Sequence, residues 1–265
     1  MIPLNFGLFW SGSKLSYLRY LTFKTLRHFH PHSRIQLYVS DKFSISKDGT
    51  DQDYKNPNNI KKDYMSELEK LNVEIIKFNK HSDLAPNHQS DIFRWTWLKE
   101  NSGFYLDTDQ IILKSFKTLP LMASFIYSCY KIDSPFVPNG EFAPVGVLGA
   151  EKGAKIVDLI CNKIMKYYNK NDYNSIGPWM MMKIIKNIDL SRTFNAPPIY
   201  FYPAPICDRM KNIFDGKMKF KKESYAAYWF GGHIPSSKFN RNYTEEFAKT
   251  SNDTISVFLR SKRLI

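Results

Sequence analysis

Two carboxylates spaced i, i+2, Asp107 and Asp109, stand directly after the apolar run Gly103-Phe104-Tyr105-Leu106. In an open α/β sheet such a pair leaves a strand at its carboxyl end, where ligands bind. Asp-Thr-Asp lets both acids, or one acid and a water, converge on one hard cation. That cation would bridge a ligand's phosphates and neutralise a departing diphosphate. The competing reading is a solvated turn.

A second group lies just upstream. Asp91, Arg94, Trp95 and Leu98 follow i, i+3, i+4, i+7 and share one helix face. Asp91 could accept hydrogen bonds from ligand hydroxyls, and Arg94 could grip a carboxylate, a phosphate or a hydroxyl pair in bidentate fashion. The alternative is a surface Asp–Arg ion pair. On the ligand reading, Arg94→Ala should cut activity and leave the fold intact.

These residues need elements to hold them. Residues 2–10 read as a buried strand entering a turn at Trp10-Ser11-Gly12. A helix follows with Leu15, Leu18, Leu21, Leu26 and Phe29 in register, stopped by Pro31, and Ile35–Val39 is a second strand. Strand–helix–strand is the opening of a parallel α/β unit. No Gly-x-Gly-x-x-Gly follows the first strand, so a dinucleotide fingerprint is absent. Residues 41–63 read as a polar loop, 64–71 as a short helix, 73–78 as a strand, 88–101 as a helix, and 103–106 and 111–113 as strands. Beyond these come loop and strand at 135–149, helices at 151–168 and 178–187, Pro-rich 196–205 and a basic tail.

The chain has 265 residues, with 43% hydrophobic and 24% charged, which excludes disordered, collagenous and coiled-coil classes. Its net charge of +13 predicts an acidic partner. The first forty residues carry Lys14, Arg19, Lys24, Arg27 and Arg34 and no acid. Three distant cysteines without a Cys-x-x-Cys predict no disulfide framework and a reducing, cytoplasmic or intracellular setting. No signal peptide and no membrane span is expected. His28, His30 and His32 straddle a helix end and are read as structural, and Met180-Met181-Met182 as core filler. Arg209 to Lys222, with Phe214 and Phe220 interleaved, is a solvated face or a surface for anionic lipid or a charged glycan.

Ser90-Asp91-Ile92-Phe93-Arg94, then Leu98, then Gly103-Phe104-Tyr105-Leu106-Asp107-Thr108-Asp109 resembles the core of sugar-nucleotide glycosyltransferases with a DXD motif. The similarity is to glycosyltransferase family 32 and to the catalytic domain of the large clostridial glucosylating toxins. Phe9-Trp10-Ser11-Gly12, Ser175-Ile176-Gly177-Pro178 and Tyr228-Trp229-Phe230-Gly231-Gly232-His233 resemble further family segments in the same order. One departure is Ser102-Gly103 where the family has Gly-Gly.

The resemblance implies a GT-A-like α/β fold: a Rossmann-like nucleotide-binding half, a mixed central sheet and a smaller acceptor-side lobe. One catalytic domain would span 1–265, with residues 1–115 on the nucleotide-sugar side and 116–265 on the acceptor side. It implies Mn²⁺ or Mg²⁺ at Asp107 and Asp109. Trp10, Ser11, Gly12 and Tyr105 would meet the nucleotide, with Trp10 stacked on the base; the competing reading makes Trp10 core. Asp91, Arg94 and Asn139 would contact the donor sugar. His233 is either a third metal ligand or diphosphate contact, or an ordinary loop histidine. The implied donor is a nucleotide-diphosphate sugar, UDP-linked in the first instance and GDP-linked as the alternative, and the acceptor is a glycan or other hydroxyl. Family members retain anomeric configuration; an inverting enzyme would need a base, with Glu141, Asp133 and Asp208 as candidates. A peripheral membrane contact is a further expectation, and nucleic acid is not expected. Two other classes fit parts of the chain: a nucleotidyl or phosphoryl transferase using the same acid pair, and a basic nucleic-acid-binding protein.

Overall fold

A computed structural model describes residues 1–42, 60–78, 80–132, 137, 140–204 and 211–265. Most of the expected polar loop, 43–59, lies outside the described residues, as do Asn139, Asp133 and Asp208.

Strands β1 (Phe6–Ser11), β2 (Ile35–Ser40), β3 (Glu74–Lys77) and β4 (Gly103–Leu106) run parallel in the order β3-β2-β1-β4. Strand β9 (Val147–Ala150) adds antiparallel to β4. Strands β6 (Phe125–Ser128) and β10 (Thr193–Ala196) complete a seven-stranded mixed sheet, while β7 (Tyr130–Lys131) and β8 (Glu141–Phe142) form a separate antiparallel pair. This is an α/β architecture with the expected mixed central sheet. The order reverses at β1, with β2 on one flank and β4 on the other, so the carboxyl ends of β1 and β4 border a topological switch point. Leu8 is in register with Leu106. Trp10 and the Asp107–Asp109 segment therefore leave the sheet side by side.

Strand alternation divides the core between two faces. Phe6, Leu8 and Trp10 join helix α1 (Tyr17–Phe29) in one cluster. Phe9 and Tyr105 join helices α2 (Pro86–Asn101), α3 (Lys155–Tyr167) and α4 (Pro178–Ile185) in the other. Ser16 caps α1 by accepting from the Arg19 N–H. Met180 and Met181 are fully buried, as filler should be. His30 packs against Phe6 and accepts from the Phe116 N–H at 3.2 Å; burial pushes it down to about 4, a neutral structural histidine.

The turn between α2 and β4 has two successive residues at positive φ. Ser102 adopts φ +56° and Gly103 φ +119°, so serine takes a left-handed position that glycine would hold without strain.

Three readings change. Ile111 and Ile112 are a strand, but β5 (Gln110–Ile112) leaves the main sheet and pairs antiparallel with β11 (Ala226–Tyr228). The basic tail folds as helices α6 (Ile234–Asn242), α7 (Glu245–Thr250) and α8 (Thr254–Ser261). The aromatics of the 211–222 run, which opens with the short helix α5 (Lys211–Phe214), turn inward: Phe214 stacks on Phe239 at 4.2 Å and Phe220 meets Phe258 edge-on, leaving the lysines, Asp215 and Gly216 outward. No helix among the described residues is long and apolar enough to cross a membrane.

Candidate functional site: an acid pair at the switch point

Helix α2 is built to carry charge inward. Pro86 opens it at the first turn, where its missing N–H costs nothing. Asp91 and Arg94 then fall on the face that meets the sheet, at 4% and 5% exposure. This is not the surface ion pair that one reading of the spacing expected. Arg94 Nη2 lies 3.2 Å from Asp91 and 3.4 Å from Asp107. Its other nitrogens donate to the Val145 carbonyl at 2.7 Å and to Ser90, and the guanidinium sits 4.7 Å over the Tyr105 ring. A buried cation is tolerable only when saturated in this way. Burial pushes the Asp91 carboxyl up to about 7, against the pull of Arg94. Gly177 packs so closely on Asp91 that a Cβ there would fall 2.7 Å from its carboxylate, which brings the Gly-Pro segment against the helix pair.

Asp107 is held from two sides. The Tyr105 hydroxyl donates to one oxygen at 2.5 Å, and the Tyr228 hydroxyl to the other at 2.7 Å. Burial raises both tyrosines far above their ordinary value, so they stay protonated as donors. Asp107 itself keeps 18% of its side chain exposed. Tyr105 thus lies beside Asp107, one sheet position from the expected nucleotide pocket. Tyr228→Phe removes one donor and leaves the ring in place. It should lower affinity for a divalent cation about 10–100-fold, the range for losing an outer-shell partner, with little change in melting temperature. Calorimetric cation titration of the two proteins checks this.

Asp109 is 6% exposed. Its Oδ2 accepts from the Gly231 N–H at 2.6 Å, and its carbonyl accepts from the Trp229 N–H at 3.0 Å. Oδ1 is buried with no partner among the described residues. Burial first, then the charge of Asp107, push this carboxyl up to about 6. An orphaned carboxylate oxygen beside a second, half-open carboxylate is chemically suited to a hard cation. Among the described residues no three His, Cys, Asp or Glu side chains group as a metal site. Two carboxylates completed by water and ligand phosphates are the usual cradle for Mg²⁺, and the pair fits that description. The third carboxylate of the site, Asp91, is turned to Arg94 and does not group with the pair as a metal ligand.

Arg19, read in the sequence only as part of the charge surplus, proves structural to this site. It is 4% exposed and donates to Thr108 Oγ1 at 2.9 Å. Its guanidinium lies 4.4 Å over Trp10 and 5.3 Å over Trp229. A Cβ at Gly231 would fall 2.7 Å from Arg19 and 3.2 Å from Asp109, so only glycine lets that N–H approach the acid. The signal in the sequence was an arginine on the apolar stripe of α1, between Leu15 and Thr22.

Trp10 is 1% exposed, covered by Arg19, and its indole N–H donates to the Lys14 carbonyl at 3.1 Å. Ser11 is buried with its hydroxyl unpartnered among the described residues, and Gly12 turns the chain at φ +148°. His233 caps α6 edge-on to Phe230, and burial lowers it from its ordinary value. It follows the Trp229–Gly231 segment that closes on Asp109, but the structure does not group its ring with the two acids.

Residues 19–126 match the family described as glycosyltransferase sugar-binding region containing DXD motif. That stretch holds Arg19, Asp91, Arg94, Asp107 and Asp109 and is less than half of the chain. A lactosylceramide 4-alpha-galactosyltransferase of Rattus norvegicus is 29% identical over 126 residues, covering 44% of this chain and 32% of that protein. The chain thus spans about a third of that curated relative's length. Among solved structures, the PaToxG glycosyltransferase is 19% identical over 69% of each chain, with a TM-score of 0.48. The galactosyltransferase LgtC, in complex with donor and acceptor sugar analogues, is 15% identical over 92% of this chain and 99% of its own, at 0.43. In the segment that builds the acid pair and its buried arginine, the chain resembles the DXD sugar-binding region of glycosyltransferases.

Proposed function

We propose that the protein is a metal-dependent glycosyltransferase that moves a sugar from a nucleotide-diphosphate sugar to a hydroxyl of a glycan or other acceptor. The observation that carries the reading is the buried, unpartnered Oδ1 of Asp109 next to the partly exposed Asp107 at the switch point. Mn²⁺ or Mg²⁺ held by Asp107 and Asp109 would supply charge neutralisation at the diphosphate. Tyr105 and Tyr228 fix the Asp107 carboxylate, so it need not reorganise when donor binds. Asp91 and Arg94 orient the donor sugar, joined by Asn139. Trp10, Ser11 and Gly12 line the nucleotide side, and His233 contributes to the diphosphate or the cation.

Residues 1–115 supply the donor side and 116–265 the acceptor side. UDP is the first candidate for the donor nucleotide and GDP the second. A retaining course suits a site whose buried carboxylates are already committed to Arg94 and to the cation. Cys129 and Cys161 are free thiols, which supports work in a reducing, intracellular compartment.

Thermal unfolding with Mn²⁺ and a panel of UDP-, GDP- and dTDP-sugars tests the proposal. At about a hundred times Kd the matching donor should add about 2.7 kcal/mol, a rise of roughly 5–10 °C for a chain of this size. No rise with any nucleotide and either metal would sink it.

A further inference from the structure

The residue between the two acids is held as firmly as the acids themselves. Two carboxylates one residue apart converge on a point only over a narrow range of φ and ψ at the middle residue, because those angles set one side chain's direction against the other's. Thr108, the middle residue, is 3% exposed, and helix α1 grips it at both ends. Arg19 Nη1 donates to its Oγ1 at 2.9 Å. The Thr22 hydroxyl lies 2.8 Å from its carbonyl oxygen and 2.7 Å from that of Gln110. One turn further along α1, Thr25 Oγ1 accepts from the Ile112 N–H at 3.0 Å.

The two threonines bond the backbone of this segment. The contact of Arg19 is to a side chain, so it depends on which residue stands between the acids. Arg19 is itself fixed: its N–H donates to the helix cap Ser16 at 3.3 Å, and its guanidinium stacks at 4.4 Å on Trp10 and 5.3 Å on Trp229. Gly231 closes over it so tightly that a Cβ there would fall 2.7 Å from its Nη2. Trp229 and Gly231 are the two residues whose N–H groups bond Asp109. Arg19 thus meets the acid turn through Thr108 and, on its other side, the segment that holds Asp109. A planar guanidinium suits this place because it stacks and donates at once; an ammonium would keep the charge and lose the plane.

We infer that Arg19 is a positioning residue of the cation site: through the Thr108 hydroxyl it sets the mutual direction of the Asp107 and Asp109 carboxylates, and with it the affinity for a divalent cation. The inference rests on the reading of the acid pair as a cation site; it does not require that the reaction be sugar transfer. A guanidinium has no lone pair to offer a metal, so the effect of Arg19 on the cation is indirect, through the geometry it imposes. The threonine of Asp-Thr-Asp then has a use of its own: its hydroxyl is the handle by which α1 holds the turn.

Variants that preserve charge separate geometry from charge. Thr108→Val keeps the shape of the side chain and removes its hydroxyl; Arg19→Lys keeps the positive charge and removes the fork. With the whole chain titrated calorimetrically against Mn²⁺ alone, each should weaken cation binding about tenfold or more, as expected for losing an outer-shell partner. Both break the same link, so the double variant should bind no more weakly than the weaker single one, a non-additivity that independent sites do not show. Thr25→Val is the control for simple loosening. It strands the Ile112 N–H, so it should lower the melting temperature, yet it should bind Mn²⁺ like the native protein. If Arg19→Lys fails to fold, Thr108→Val decides alone. Native-like Mn²⁺ binding by Thr108→Val, losses that multiply in the double variant, or a loss in Thr25→Val equal to that in Thr108→Val would each overturn the inference and leave the cation site standing. Absence of Mn²⁺ binding by the native protein would overturn it together with the reading it rests on.

Discussion

Asp107→Asn is expected to abolish the Mn²⁺-dependent stabilisation by nucleotide and to lower sugar transfer by on the order of a thousandfold. The size follows from losing several kcal/mol of charge stabilisation at the departing diphosphate, at 1.36 kcal/mol per factor of ten. Asparagine is nearly isosteric, but its amide end cannot accept from a tyrosine hydroxyl. One of the donors that now converge here, Tyr105 or Tyr228, loses its acceptor. That costs about 1–3 kcal/mol of stability, so the variant should fold with a lower melting point. Calorimetry with metal and nucleotide, alongside unfolding without either, separates the two effects. A variant that keeps its Mn²⁺ response would place the cation elsewhere.

Arg94→Ala should do more damage to the fold than to any single ligand contact. Truncating it strands Asp91 and part of Asp107 as uncompensated buried charge and orphans the Val145 carbonyl. Breaking a buried pair from one side costs about 3–5 kcal/mol, a large share of the roughly 5–15 kcal/mol that holds a domain together. The spacing alone led to an expectation of a well-folded but inactive variant; 5% exposure and contacts to Asp91, Asp107, Ser90 and Val145 lead instead to the expectation of a destabilised one. Pairing Arg94→Met with Asp91→Leu removes both charges at similar volume and should recover most of the stability. Activity should stay lost in the pair if Asp91 and Arg94 orient the donor. Recovery of transfer by the pair would reduce Arg94 to a structural role. Denaturant titration and initial rates on the same preparations read both outcomes.

The parallel half of the sheet was legible because β1 and β4 are short, continuous apolar runs beside helices and β2 and β3 are short runs rich in β-branched residues and leucine. Leu18, Leu21 and Leu26 mark α1, and the run before Asp107 marks β4. Connections there are local, so pattern and topology agree. The acid pair and the helix pair could be read from spacing. Their mutual contact through Arg94 could not, because spacing says nothing about which face of α2 meets β4. Arg19 was invisible as a site residue since an arginine on an apolar stripe reads as snorkelling surface. The tyrosine clamp on Asp107 needs a partner 121 residues away. The carboxyl-terminal helices were taken for a tail because they are short, and their stability comes from packing rather than from propensity. Phe239, Tyr243 and Phe247 supply that packing.

The antiparallel pairing of β5 with β11 also sets a clock on the ribosome. Asp107 and Asp109 emerge early, yet the Tyr228 hydroxyl and the Gly231 N–H that position them are synthesised 121 and 122 residues later. At about 5–20 residues per second, the nascent chain carries two poorly compensated acids for several seconds before their partners appear. Closing so long a loop must precede any reward from the contact, which makes this the slow, high-contact-order step of folding. On the proposed function, the cation site is complete only once residues 228–231 have been made, so metal and donor binding would follow synthesis of the carboxyl-terminal half.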